Sequence, residues 1–478
     1  MALVTNLSGS FNGNDIGADV VEFLGIQFAT ADRFADPVDI LNYQKPVDAR
    51  TFGPQSPQVP GFMEEILDTK KLPVSEQCLN LNIWAPSDAI SAQASKLRPV
   101  LFWIHGGAYT NGTAATSWYN GASLVRRGDV VVVSINYRLG PFGFIGDDNF
   151  GTLDQVSALR WVQRNITAFG GDPKNVTIFG ESAGGSSVVA LTASYLTVGL
   201  IKRAWAMSPS LRQLRTKAQA AVALEQYLGL AKCQSIDELR SLTIEEMIKA
   251  TELMFVDVEN YVSTFTPTLG CSGLSENVNE ASANSGVPLV VGTNHDENRL
   301  WTALHPDSAS IDMAGALVFY EKSFGADAKF MWDTYCEHRK DLTASQMVAA
   351  FQTDENFRAP AWKLCEKRSN QNAPTWMYWF TWPTPVFDGA FGSCHALDIP
   401  FVFHNLDAPG VEQFTGSDPE REQIADRLSA EVLSFATTGE VSWPQYETTS
   451  RATLRVDKQN FLLKDPEPEL RNIWTKLV

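Results

Sequence analysis

The residue best suited to nucleophilic chemistry is the serine in Gly180-Glu181-Ser182-Ala183-Gly184. An apolar, β-rich run from Val176 to Phe179 leads into it, and the residues from Gly184 to Leu191 continue as a helical pattern. A G-x-S-x-G pattern between a strand and a helix predicts a sharp turn that lifts the serine hydroxyl out of the sheet. Small residues are needed on both sides because the serine backbone is strained and its neighbours crowd, and the helix N-terminus aims backbone N–H groups at developing negative charge. A serine hydroxyl is a weak nucleophile, so it needs a proton acceptor and a site for the oxyanion.

The residues from Val100 to Tyr109 offer that second site: a strand followed by His105, Gly106, Gly107 and Ala108, small residues in a turn without ladder partners. Gly107, Ala108 and Ala183 are the expected N–H donors of an oxyanion hole. Of six histidines (105, 295, 305, 338, 395 and 404), His305 and His338 lie in polar helical sequence and His404 beside an apolar run. His395 stands out because it sits in a Gly/Ser/Cys-rich loop after the last strong strand, where the chain order serine, acid, histidine places a base. His295 is its rival. The acid should fall between Ser182 and His395 at a strand end, and Asp296 and Glu297 both qualify. Adjacent residues leaving a strand point in opposite directions, so only one of the two can orient an imidazole.

These groups need a rigid frame. Short apolar runs at Pro99–Ile104, Val130–Ile135, Val176–Phe179, Ala204–Met207, Pro288–Val291 and Thr375–Phe380 alternate with helical patterns. That alternation predicts an α/β protein with a mostly parallel twisted sheet covered by helices on both faces. Leu153, Val156, Leu159 and Val162 recur at helical spacing up to the stop at Gly170-Gly171-Asp172-Pro173, and Asp418-Pro419 opens a helix with Ile424, Leu428, Val432 and Phe435 on one face, closed by Gly439. Residues 211–265 and 311–368 read as helical insertions over the sheet, the first with a capping box at Thr243 and Glu246. Without repeats or linker tracts, residues 1–478 read as one elaborated domain.

Composition sets the remaining limits. The chain has 478 residues, of which 44% are hydrophobic, enough for a large core. Its formal charge of −17 would repel a phosphate backbone, so nucleic acid is not an expected partner. No apolar run approaches the length that spans a bilayer, and no leader or anchor signal is legible, so a cytoplasmic protein without membrane association is expected. The six cysteines are scattered singly, which argues against a disulfide framework and a zinc cluster and for free thiols. No metal or cofactor is expected at the site. Oligomeric state is not legible.

The chain resembles the type B carboxylesterase and cholinesterase family of α/β-hydrolases. The resemblance runs through Phe23–Ala29, Ser75–Ile83, Trp103–Ala108, Asn136–Phe144, Leu153–Gln155, Phe169–Pro173, Gly180–Gly185, Asp296-Glu297 and His395. It implies Ser182 as nucleophile, Glu297 rather than Asp296 as the acid, His395 as base, and Gly107, Ala108 and Ala183 around the oxyanion. Departures are a short segment after Ala29, a Cys78 without the disulfide partner found in secreted relatives, Asn298 after the acid where glycine is usual, and Ser208 followed by Pro209-Ser210. The implied reaction is hydrolysis of a small-molecule carboxylic ester through an acyl-enzyme. Aromatic residues including Tyr109, Phe265, Trp379 and Trp382 are the expected substrate contacts and favour an apolar or aromatic ester. Two alternatives are an acyltransferase or cyclising enzyme on the same triad, and a non-catalytic binding protein of the same family.

Overall fold

The computed structural model describes residues 2–61, 72–90, 96–257 and 264–477. Four strands, Ala2–Asn6 (β1), Gly9–Asp15 (β2), Val20–Gln27 (β3) and Asn80–Pro86 (β4), form an antiparallel flank. Arg98–Ile104 (β5), Val131–Ile135 (β6), Gly171–Glu181 (β7), Arg203–Met207 (β8), Leu289–Asn294 (β9), Thr375–Phe380 (β10) and Ala452–Val456 (β11) are mutually parallel, and Phe461–Lys464 (β12) closes the far edge antiparallel. The spatial order is β1-β2-β3-β4-β6-β5-β7-β8-β9-β10-β11-β12. This is the α/β-hydrolase fold.

Alternation within the central strands explains why both faces of the sheet are covered. Val100, Phe102 and Ile104 of β5 join one apolar cluster, whereas Leu101 and Trp103 join another; Val291 and Val290 of β9 divide in the same way. A strand apolar on both faces is stable only between two helical layers. The helix Glu420–Thr438 supplies part of one layer, burying Ile424, Leu428, Val432 and Phe435 and ending at Gly439 with φ 85°. Helices in the expected insertions are Lys217–Ala231, Ile236–Arg240, Ile244–Asp257, Met313–Phe324, Ala328–His338, Ala344–Thr353 and Ala359–Asn370, while residues 258–263 lie outside the described residues. The capping box at Thr243 and Glu246 forms, with reciprocal bonds of 3.1 and 2.7 Å. All six cysteines are free thiols, and among the described residues no helix is long and apolar enough to cross a membrane.

Strands β5, β7, β9 and β10 end at Ile104, Glu181, Asn294 and Phe380 on the same edge of the sheet, because neighbouring parallel strands run in register. The loops that leave those four ends meet at one place.

Candidate active site

Ser182 lies between β7 and the helix Ala183–Thr192 with φ 59° and ψ −120°, a strained conformation for a residue with a Cβ. Backbone bonds hold it there: its N–H donates to Met207 O at 3.0 Å, and its carbonyl accepts from the Ser186 N–H at 2.9 Å. The flanking glycines are sterically required. A Cβ on Gly184 would stand 2.0 Å from Ile104 O, and one on Gly180 would stand 2.6 Å from the same oxygen. Ser182 retains 8% exposure.

After β5 the chain turns through three successive positive φ angles, 103° at Gly107, 52° at Ala108 and 61° at Tyr109. The Gly107 carbonyl turns back to accept from the N–H groups of Thr110 and Asn111 at 2.9 and 3.0 Å. The N–H groups of Gly107 and Ala108 have no acceptor among the described residues, and that of Ala183 is the first of its helix. A Cβ built on Gly106 would come within 3.1 Å of Ser182 Cβ, so this turn lies directly against the serine. His105 supports the turn from behind. It stacks on Tyr137 at 4.6 Å, its Nδ1 bonds Gly106 O at 2.8 Å, and burial pushes it down to about 4, leaving it neutral.

Glu297 and His395 meet beside the serine turn. His395 Nδ1 lies 2.7 Å from Glu297 Oε2, the His395 N–H donates to Glu297 O at 3.2 Å, and Glu297 Oε1 accepts the Asn294 N–H at 2.7 Å. Asp296 points the other way, to the Ser393 N–H at 3.0 Å and to Arg299 and His295 at 3.2 Å each. Burial opposes its ionisation, but those partners outweigh it and hold the carboxyl well below the usual range. His295 thus pairs with Asp296, and its ring faces Trp379 at 6.0 Å. Asn298 has φ −75°, which needs no glycine, and bonds Thr353 Oγ1 and Gln352 Oε1 at 3.0 Å each.

The other imidazole nitrogen, Nε2, faces Glu181 Oε1 at 3.1 Å; among the described residues no hydrogen bond joins His395 to the Ser182 hydroxyl. Burial pushes the Glu181 carboxyl up to about 8, with the His395 charge opposing. Burial would lower His395, but the carboxylates of Glu181, Glu297 and Asp398 outweigh it and raise the imidazole to about 9. Asp398 is itself pushed up to about 7 by burial and by the charge of Glu297, while Tyr378 OH donates to it at 2.9 Å. Among the described residues no cluster of His, Cys, Asp and Glu is arranged to hold a metal ion.

The four aromatics expected to touch substrate are all buried. Tyr109, the last of the three positive-φ residues, is fully buried and edge-on to Phe144, and Phe265 packs edge-on to Tyr227. Trp379 lies under the Arg358 guanidinium at 4.4 Å, and Trp382 packs against Phe401. Large rings on a sheet scaffold are drawn first into the core. The rings that flank His395 are instead Trp301 at 5.0 Å and Phe357 at 4.8 Å, parallel to each other within 4°. Trp301 lies one helical turn after Glu297, a spacing visible in the sequence; Phe357 carries no local signal. Glu181 lies inside the serine motif, and Asp398 follows His395 by one turn.

The carboxylesterase family model matches residues 2–474. The para-nitrobenzyl esterase of Bacillus subtilis (strain 168) is 36% identical over 466 residues, covering 92% of this chain and 91% of the relative. The phenmedipham hydrolase of Pseudarthrobacter oxydans is 31% identical over 431 residues, covering 86% and 85%. Among solved structures, a carboxylesterase of Geobacillus stearothermophilus at pH 6.2 superposes with a TM-score of 0.86 at 33% identity, over 99% of each chain.

Proposed function

The chain belongs to the carboxylesterase family and is a carboxylic ester hydrolase; from that premise we propose that Ser182, His395 and Glu297 carry the reaction. The observation that carries this reading is the Nδ1 to Oε2 contact of 2.7 Å, which leaves the opposite nitrogen facing Glu181, the residue next to Ser182. His395 Nε2 removes the Ser182 proton as the oxygen attacks the ester carbonyl, an engagement that tightens when substrate fills the site. The N–H groups of Gly107, Ala108 and Ala183 take the negative charge of the tetrahedral intermediate. Glu297 fixes the tautomer with the proton on Nδ1 and stabilises the imidazolium. His395 then protonates the leaving alcohol, and water repeats the sequence on the acyl-enzyme.

The substrate is an apolar or aromatic ester. Support comes from the Trp301 and Phe357 rings beside the base and from the relative named as a para-nitrobenzyl esterase. Ser182→Ala should lower kcat roughly 10⁶-fold on p-nitrophenyl esters and abolish labelling by a fluorophosphonate. Near-normal turnover in that variant would remove Ser182 from the mechanism.

A further inference from the structure

Arg358 is a fully buried cation that the proposed reaction does not use. It ends a widened π-turn, Asp354–Arg358, in which the Ala359 N–H reaches back to Asp354 O. Pro360 follows and has no N–H to offer the carbonyl four residues earlier, which favours such a break in the helical ladder. The widened turn sends two consecutive side chains to the site. Phe357 packs on the His395 ring, and Arg358 Nη2 donates to the carbonyls of Asn294 at 3.1 Å and His295 at 2.8 Å.

Those carbonyls belong to the segment between the end of β9 and Glu297. Asn294 also donates its N–H to Glu297 Oε1, so the residue that Arg358 grips is the one that orients the acid. The guanidinium is anchored in turn. Arg358 Nη1 lies 2.5 Å from Asp354 Oδ1, Glu467 stands 3.8 Å away, and Arg339 bridges Glu467 at 2.7 Å and Asp354 at 3.7 Å. Tyr335 OH donates to Asp354 Oδ2 at 2.5 Å, and the Trp379 ring covers the guanidinium. Two arginines thus meet two carboxylates, and this neutral cluster is costly to open because Asp354, Arg358 and Arg339 are desolvated.

We propose that Arg358 is a positioning residue: anchored on Asp354, it clamps the Asn294 and His295 carbonyls and so fixes Glu297 against His395. The proposal rests on the triad reading above. Its predicted consequence for pH passes through His395, whose charged neighbours are Glu297, Glu181 and Asp398. A looser Glu297 supports the imidazolium less, so the pKa of the base falls and the acid limb of kcat/KM moves to lower pH.

The test is Arg358→Lys, which keeps a positive charge beside Asp354 but cannot span a carboxylate and two carbonyls. Activity is measured per active site, counted by fluorophosphonate labelling taken to completion. The expected result is a fall in kcat of about 10- to 100-fold, the cost of a misplaced catalytic group, with KM little changed, a lowered acid limb, and an altered downfield proton resonance for the His395 to Glu297 bond. Wild-type kcat per labelled site with an unmoved acid limb would overturn the proposal, as would a loss explained entirely by fewer labelled sites. If Arg358→Lys does not fold, Asp354→Asn removes the anchor and is read by the same measurements. Ser182→Ala run alongside separates the two claims: an active alanine variant defeats the triad, whereas a dead one beside an unimpaired Arg358→Lys defeats only the clamp.

Discussion

Around Ser182 the backbone does the positioning, whereas around Glu297 and His395 charged and polar side chains share it with the backbone. The serine turn is fixed by carbonyls pressed against Gly180, Gly184 and Gly185 and by two main-chain hydrogen bonds. The acid and base are fixed by a chain of charged and polar groups, from Asp354 and Arg358 through Asn294 to Glu297, with Glu181 and Asp398 closing the far side. Steric positioning is indifferent to pH but tolerates no added atom. Positioning by charge tolerates isosteric change, and its output follows protonation.

The sharpest way to break the steric half is Gly184→Ala, since the new Cβ would sit 2.0 Å from the Ile104 carbonyl oxygen. Either the turn or β5 must move, at a cost of at least about 3 kcal/mol, the upper range for overpacking. The expected outcome is a large fall in the thermal midpoint together with loss of fluorophosphonate labelling. A variant that melts like the parent and labels fully would show that backbone contacts do not set this turn.

The electrostatic half is sharpened by comparing two isosteric replacements on either side of His395. In Glu297→Gln the amide NH₂ faces Nδ1 because the Asn294 N–H claims the amide oxygen, so the imidazole proton is driven to Nε2 and the base is lost. A fall in kcat of roughly 10³- to 10⁴-fold is expected, the scale of a wrong tautomer. Glu181→Gln keeps the shape of the side chain and removes its ability to ionise. His395 must be neutral to accept the serine proton, and Glu181 helps hold its pKa above the ordinary value, so the parent's acid limb should lie above 6.5. In Glu181→Gln that limb should move to lower pH, with plateau kcat changed by less than about tenfold. Equal damage from the two replacements, or an unmoved limb in Glu181→Gln, would erase the distinction between tautomer control and charge.

This division also explains what could be read in the chain. The central strands were legible because residues such as Leu101 and Phe102, or Val290 and Val291, are apolar on both faces; Thr375–Phe380 has the expected ends. The strand expected at Val176–Phe179 begins earlier, at Gly171, across an irregularity in its pairing with β5, where Asp172-Pro173 reads locally as a turn. Strands β1 and β2 carry no such signal because Asn, Gly and Asp dominate Gly9–Asp15, and only pairing partners such as Val4 with Phe11 make it extended. At the site, the serine turn is a local steric motif and was visible. Phe357 and Arg358 were not, because a π-turn and long-range packing deliver them, and no spacing around His395 records that arrival.

Trp301 tests whether the charge-built half also has a binding face. The residue is 41% exposed, and its ring lies 5.0 Å from the His395 ring and parallel to Phe357, so it touches the base while part of it meets solvent. Trp301→Leu keeps apolar bulk but removes the aromatic face. An aromatic pair contributes about 0.5–1.5 kcal/mol beyond burial, so kcat/KM for phenyl acetate should fall about two- to tenfold relative to ethyl acetate. Loss of contact with the imidazolium should weaken both substrates alike, because the base is common to them. A selective loss on the aromatic ester therefore assigns Trp301 to substrate binding, and an equal loss on both assigns it to support of His395 alone.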